Sequence, residues 1–369
     1  MLFLVLACSE PAPAPKVDAP AAPPPAASFT LGWSEYPSWS AFWAMHKIGT
    51  LDGDKGEQGE FERKHNIDIV LVECAYSACI SQYAAGALDA VALTNLDTIT
   101  TGIRSVGFLP TSTSAGGDQL WAKTDVTKLA QLKGKKVRGL AGSVSEYMFR
   151  RNLELQGLDS KDFPWVGEDP EIITQAMLAN NAEYDAGVVW NPFGLAIRKA
   201  RPDLHALVSS APIAGEIVDM LVMSEASWAR PGAQDAARAV ADAFYDFNRR
   251  LSTPERDALL VATGDKFGAS TIEDMNIAVT ETRFYATGDE ALAVWTGPQL
   301  AETMTRMVTF VQNAGLVTSA PLVVFGPAPT DVPETQAWLR FDSSVIEDFA
   351  SAPAAPATPA APPAATPTP

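Results

Sequence analysis

The sequence predicts an α/β protein of two domains, each a parallel-rich sheet flanked by helices, with a hinge between them. Three observations carry this. From Phe29 to Leu93 the pattern runs strand, helix, strand, helix, strand with short connections, the signature of a parallel sheet wound with helices. A second β-loop-α-β round follows from about 125 to 213. The segment Glu216–Ser224, E-I-V-D-M-L-V-M-S, then reads as a strand returning to the first domain. A chain that leaves one domain and comes back crosses between them at least twice, which permits hinge closure about a central cleft. At 369 residues there is material for two domains and a large core.

The elements follow in order. Phe29–Trp33 is an apolar strand. Pro37 and Ser38 suit a helix start, after which Trp39, Trp43 and Lys47 share one helical face at i, i+4 spacing. Residues 49–59 are turn-rich, Phe61–His65 ends a short helix, and Asp68–Glu73 alternates as a strand does. A helix over 78–85 stops at Gly86, and the strand Ala90–Leu93 runs straight into the polar turn Thr94-Asn95-Leu96-Asp97. Val106–Thr113 continues the sheet, and Gly116-Gly117-Asp118 leads into Leu120–Lys123. In the second round, the strand Lys136–Leu140 precedes the small-residue loop Gly142-Ser143-Val144-Ser145 and the helix Glu146–Gln156. The helix Pro170–Ala179 and the strands Tyr184–Trp190 and His205–Ser209 complete it, and four helices follow between 234 and 314. The expected boundaries are 29–124 plus 214–348 for domain 1 and 125–213 for domain 2.

The flanks differ in kind. Residues 9–28 are rich in Pro and Ala and cannot bury a core; they read as a semi-rigid tether, and 349–369 as a tail of the same composition. Met1–Ser9 looks like the end of a truncated bacterial lipoprotein signal (1–8), with Val5, Leu6 and Ala7 before a lipidated Cys8. That lipid would be the only membrane attachment, since no run reaches the ~18 apolar residues of a membrane span. Cys74 and Cys79, if both lie on one helix, are too far apart to bridge, so they read as free buried thiols.

The formal charge of -17 argues against a nucleic-acid partner, which needs clustered Lys and Arg, and favours cations over anions near the surface. The three His, at 46, 65 and 205, lie apart in sequence, and no His, Cys or Glu spacing suggests a metal. There is no nucleophile elbow and no phosphate loop, and neither a catalytic residue nor a cofactor is expected.

Ligand chemistry is expected at strand ends, where open α/β sheets bind their ligands. Thr94, Asn95 and Asp97 stand at such an end, although Thr94 or Asn95 would also serve as a helix cap. Trp33, Tyr36, Trp39, Tyr76 and Trp190 are aromatic candidates for enclosing a flat or cationic solute. Glu35, Asp97, Asp118 and Asp219 are carboxylate candidates, Asp97 foremost, because a guanidinium donates hydrogen bonds only and takes a carboxylate bidentately. Ser143 and Ser145 pull the other way: a loop opening a helix offers free N–H groups and a positive dipole end to an anion. No Arg sits in the candidate loops, and an oxyanion receptor ordinarily uses one. A neutral or cationic solute is the reading.

Five short motifs in order carry a resemblance: W-S-x-Y-x-x-W at 33–39, Q-Y-x-A-G at 82–86, T-N-L-D at 94–97, S-V-S-x-Y at 143–147 and V-W-N-P at 189–192. With them the chain resembles the periplasmic solute-binding proteins of nitrate, sulfonate, taurine and thiamine-pyrimidine ABC importers. Within that group it is most similar to those associated with urea-carboxylase-type enzymes, with guanidine- or urea-like solutes. Glu35 departs from an apolar residue in the relatives, and Glu146 from His. The resemblance implies the two-domain type II periplasmic binding protein fold and a monomer at the periplasmic or cell surface. It also implies ABC permease and ATPase partners and a small-molecule solute. An oxyanion receptor, and an enzyme like the thiamine-pyrimidine synthase on the same fold, are its alternatives.

Overall fold

The computed structural model describes residues 26–267, 271–330, 332–333 and 336–351. Cys8, most of the tether and almost all of the tail lie outside the described residues. Among the described residues thirteen strands form two sheets: β1 Ala27–Trp33, β2 Ile67–Glu73, β3 Ala90–Thr94, β4 Ser105–Ser114, β5 Gln119–Lys123, β6 Val137–Gly139, β7 Trp165–Gly167, β8 Ala186–Val189, β9 Leu204–Ser209, β10 Val218–Ser224, β11 Thr282–Phe284, β12 Leu322–Phe325 and β13 Trp338–Phe341.

The first sheet has the order β12-β13-β4-β10-β3-β1-β2, with β11 also on β4. β1 pairs in parallel with β2 and β3, so these three end on one edge. β10 lies antiparallel between β3 and β4 because the chain comes back from the second sheet at that same edge. It is an apolar run, Val-Asp-Met-Leu-Val-Met, buried on both faces, and its register sets Asp219 opposite both Thr94 and Ser112.

The second sheet has the order β7-β6-β8-β5-β9. β5 pairs with β8 and β9, so Gln119–Lys123 belongs here and not to the first domain as expected, and the first crossing is at 115–118. A short apolar segment does not state which sheet it will join; its hydrogen-bond partners decide. Each crossing contains a glycine at positive φ, Gly116 at 126° and Gly215 at 91°, a conformation a side chain would strain.

Two further expectations change. The helix Ala41–Lys47 starts later than Pro37 or Ser38, because Trp39 and Ser40 donate their N–H groups to the Tyr36 carbonyl in a preceding turn. Trp39 and Trp43 therefore do not share a helical face. The helix Tyr76–Ala84 begins after Cys74, which leaves Cys74 and Cys79 with Cα atoms 5.5 Å apart and joined in a disulfide, not as free thiols. The helix Gly288–Thr296 and the strands β11 to β13 were not anticipated.

Candidate functional site

The edge where β1 and β3 end faces the N-terminus of the helix Val144–Leu155 from the second sheet's layer. Eight buried residues converge there. Tyr36 and Trp39 come from the turn after β1, Tyr76 from the helix after β2, Thr94 from the end of β3 and Asp219 from β10. Asp118 comes from the first crossing, Trp190 follows β8, and Val144 opens its helix. Together they enclose about 20 Å³, room for about one water, so the two lobes meet closely.

Four rings wall this space. Tyr36 lies 4.9 Å from Trp39, Trp39 stacks on Tyr76 at 5.5 Å, and Trp190 meets Tyr76 edge-on at 5.5 Å. The indole N–H of Trp39 has no partner.

Asp97 stands one layer behind this wall. Its Oδ2 accepts the Tyr76 hydroxyl at 2.6 Å and the Thr94 hydroxyl at 2.9 Å, and its Oδ1 accepts the backbone N–H of Val144 at 3.2 Å. The last bond crosses between lobes. Thr94 is the N-cap of the helix Asn95–Thr100, taking the Asp97 N–H at 3.1 Å. Asp219 accepts the Ser112 hydroxyl at 2.5 Å.

The other candidates lie elsewhere. The Asn95 side chain spans the second crossing, donating to the Glu216 carbonyl and accepting from Val218 N–H, so its role is structural. Ser143 is the cap of the Val144 helix, with its hydroxyl accepting from Ser145 N–H, and the Ser145 hydroxyl is buried without a partner. Trp33 lines a different cavity, with Trp43 and Glu73. Glu35 stands near Glu171 of the second lobe and does not line the cleft. Val144 is the lining residue that sequence reasoning did not single out: the loop's free N–H groups were read, but which of them meets the cleft is set by the fold.

No family model and no curated protein sequence matches the chain. Solved structures do. The periplasmic aliphatic sulphonate binding protein SsuA from Escherichia coli superposes with a TM-score of 0.61 at 16% identity, over 80% of this chain and 94% of that one. The alkanesulfonate-binding protein SsuA from Xanthomonas axonopodis pv. citri, bound to MOPS, gives 0.62 at 14% identity, over 81% and 96%. The ligand-binding component of an ABC-type import system from Staphylococcus aureus, with zinc bound, gives 0.62 at 11% identity, over 88% and 99%. The chain has the periplasmic binding protein fold.

Within this fold the cleft is acidic and closely enclosed. Burial lifts the Asp97 carboxyl to about 7, although its hydrogen bonds from Tyr76 and Thr94 act to lower it. Burial also lifts Asp118 to about 6, with the Ser114 hydroxyl as the opposing influence. Asp219 is held well above the usual carboxylate range by burial, with Asp118 and Asp97 adding to the effect. Burial, with the charges of Asp219 and Asp118, keeps the Tyr36 hydroxyl protonated. Among the described residues, the largest influences on these three acids are burial, hydroxyl and backbone donors and one another, not a Lys, Arg or His.

The cations of this region gather instead around Glu216, in the second crossing. Its carboxylate accepts from Tyr147 at 2.5 Å and from Arg151 at 2.9 and 3.1 Å, and pairs with Arg306 at 3.4 Å. Burial alone would raise this carboxyl, but the bonds from Arg151 and Tyr147 outweigh it and hold it below the ordinary value. The cluster ties the helix Val144–Leu155 to the helix Pro298–Asn313.

Proposed function

We propose that this protein is the solute-binding component of an ABC importer and that its solute is a compact nitrogenous cation of the guanidine type. It would be held at the periplasmic or cell surface through a lipidated Cys8, as a monomer that hands the solute to a permease. One observation carries the choice of solute: buried carboxyl groups, whose largest influences include no protein cation, stand around a space walled by four aromatic rings. A guanidinium offers N–H donors to Asp118 and Asp219 and a flat face to the rings, where a cation gains roughly 0.5 to 2 kcal/mol. The helix N-terminus that would attract an anion already holds one, the carboxylate of Asp97. We read the site as one that binds its solute and does not transform it.

A second reading, an oxyanion receptor, is favoured by two of the similar structures, which are sulfonate-binding proteins. It would require the acids to be protonated, a form that burial favours by pushing their carboxyl groups above the usual range.

A thermal-shift screen of guanidine, urea, nitrate, taurine and aminopyrimidine tests both. A ligand at 100 times its dissociation constant stabilises by about 2.7 kcal/mol. A guanidine response supports the cation reading, and a response to taurine or nitrate alone reverses it. A new product from any of them would overturn the binding-only reading.

A further inference from the structure

β1 and β2 end side by side, with Trp33 paired to Glu73. Next to them lies a second cavity of about 90 Å³, which shares no lining residue with the cleft. Trp33, Trp43 and Glu73 supply its chemistry, and it has room for several waters, hence for a solute of a few heavy atoms. An ammonium group is already held against these three side chains. Lys266 Nζ lies 2.6 Å from the Glu73 carboxylate, 4.0 Å from the centre of the Trp43 ring and 6.0 Å from that of Trp33. Carboxylate plus indole faces is the donor set of a cation site, and Lys266 holds part of that set while the cavity beside it stays open.

We propose that this cavity is a second site for small organic cations, whose carboxylate and indole Lys266 engages from beside it as a tethered competitor. Lys266 comes from the short turn Asp265–Phe267, remote in sequence from the β1 and β2 ends it covers. Its side chain is 22% exposed and that of Glu73 43%, and a pair this open to solvent binds weakly enough to be exchanged. A planar guanidinium stacks on indole and takes a carboxylate in two bonds, so it competes better than a simple ammonium. The inference does not depend on the solute proposed for the main cleft.

The test titrates guanidinium chloride at millimolar concentrations, against sodium chloride of equal ionic strength. It follows the indole N–H resonances of Trp33 and Trp43 in the full chain. In Lys266→Ala both resonances should move saturably, with an apparent affinity at least tenfold tighter than in the parent, where Lys266 must first be displaced. In Lys266→Arg, where the guanidinium again engages Glu73 and Trp43, there should be no saturable movement, and adding Glu73→Gln to Lys266→Ala should abolish it. Repeating Lys266→Ala in an Asp118→Asn background separates the sites: saturation at Trp33 and Trp43 must persist there whatever becomes of the main cleft. Linear shifts in Lys266→Ala, or equal responses from the Ala and Arg variants, would overturn the proposal.

Discussion

Replacing Asp118 with Asn keeps the shape of the side chain and removes its charge, and it should move the empty protein and its complex in opposite directions. Burial raises the Asp118 carboxyl from 3.8 to about 6. Between those values the folded chain holds a proton that the unfolded chain has released, so stability falls as pH rises through that window. Above about pH 6 the full penalty is present. At about 1.36 kcal/mol per pH unit, a gap of roughly two units amounts to about 3 kcal/mol. Asn carries no such penalty, so the empty variant should melt several degrees higher than the parent at about pH 8 and alongside it at about pH 4, by scanning fluorimetry. Its complex loses a charge-assisted hydrogen bond of about 2 kcal/mol, which weakens guanidine binding roughly 30-fold by calorimetry. An unchanged melting point at pH 8, or an undiminished guanidine response, would refute the account of a desolvated carboxyl facing the solute.

Three further outcomes follow from the same geometry. Guanidine affinity should rise between about pH 5 and pH 7, because Asp118, lifted to about 6, must ionise to accept a cation. Calorimetry in buffers of different ionisation heat should register proton release, and a flat profile would count against cation binding. Asp97→Ala strands the Tyr76 and Thr94 hydroxyls and the Val144 N–H, and should destabilise the fold by about 2 kcal/mol. Since Asp97 lies behind the cleft wall, that variant should weaken every ligand alike; selective loss of guanidine would show instead that Asp97 touches the solute. Cys74→Ser opens the short loop closed on Cys79 and should cost about 2 kcal/mol of stability. In the unreduced, denatured parent neither Cys74 nor Cys79 should react with a thiol reagent.

Local signals place most strands within a residue or two, because alternation of apolar side chains and the turn residues that interrupt it are properties of neighbours in sequence. The second domain was legible as a repeat of the first pattern, and β10 as a return strand, since a run apolar on both faces must sit inside a sheet. Cys74 and Cys79 were misread because a disulfide depends on where a helix begins, and here Ala75 caps a helix that excludes Cys74. Trp39 and Trp43 were misread for the same kind of reason: a turn closed on Tyr36 sends one ring into the cleft and the other toward Lys266.

The sequence by itself determined most of the elements, the α/β layering and a set of aromatic and acidic candidates, because each rests on short-range spacing and residue chemistry. Tertiary structure alone decided which of them meet. The register of β10 set Asp219 against Thr94, the switch of β5 into the second sheet put Asp118 at the crossing, and lobe contact placed a helix N-terminus on Asp97. The shifted ionisation of the acids is likewise a tertiary property: desolvation arises only when both lobes exclude water from the same few ångströms.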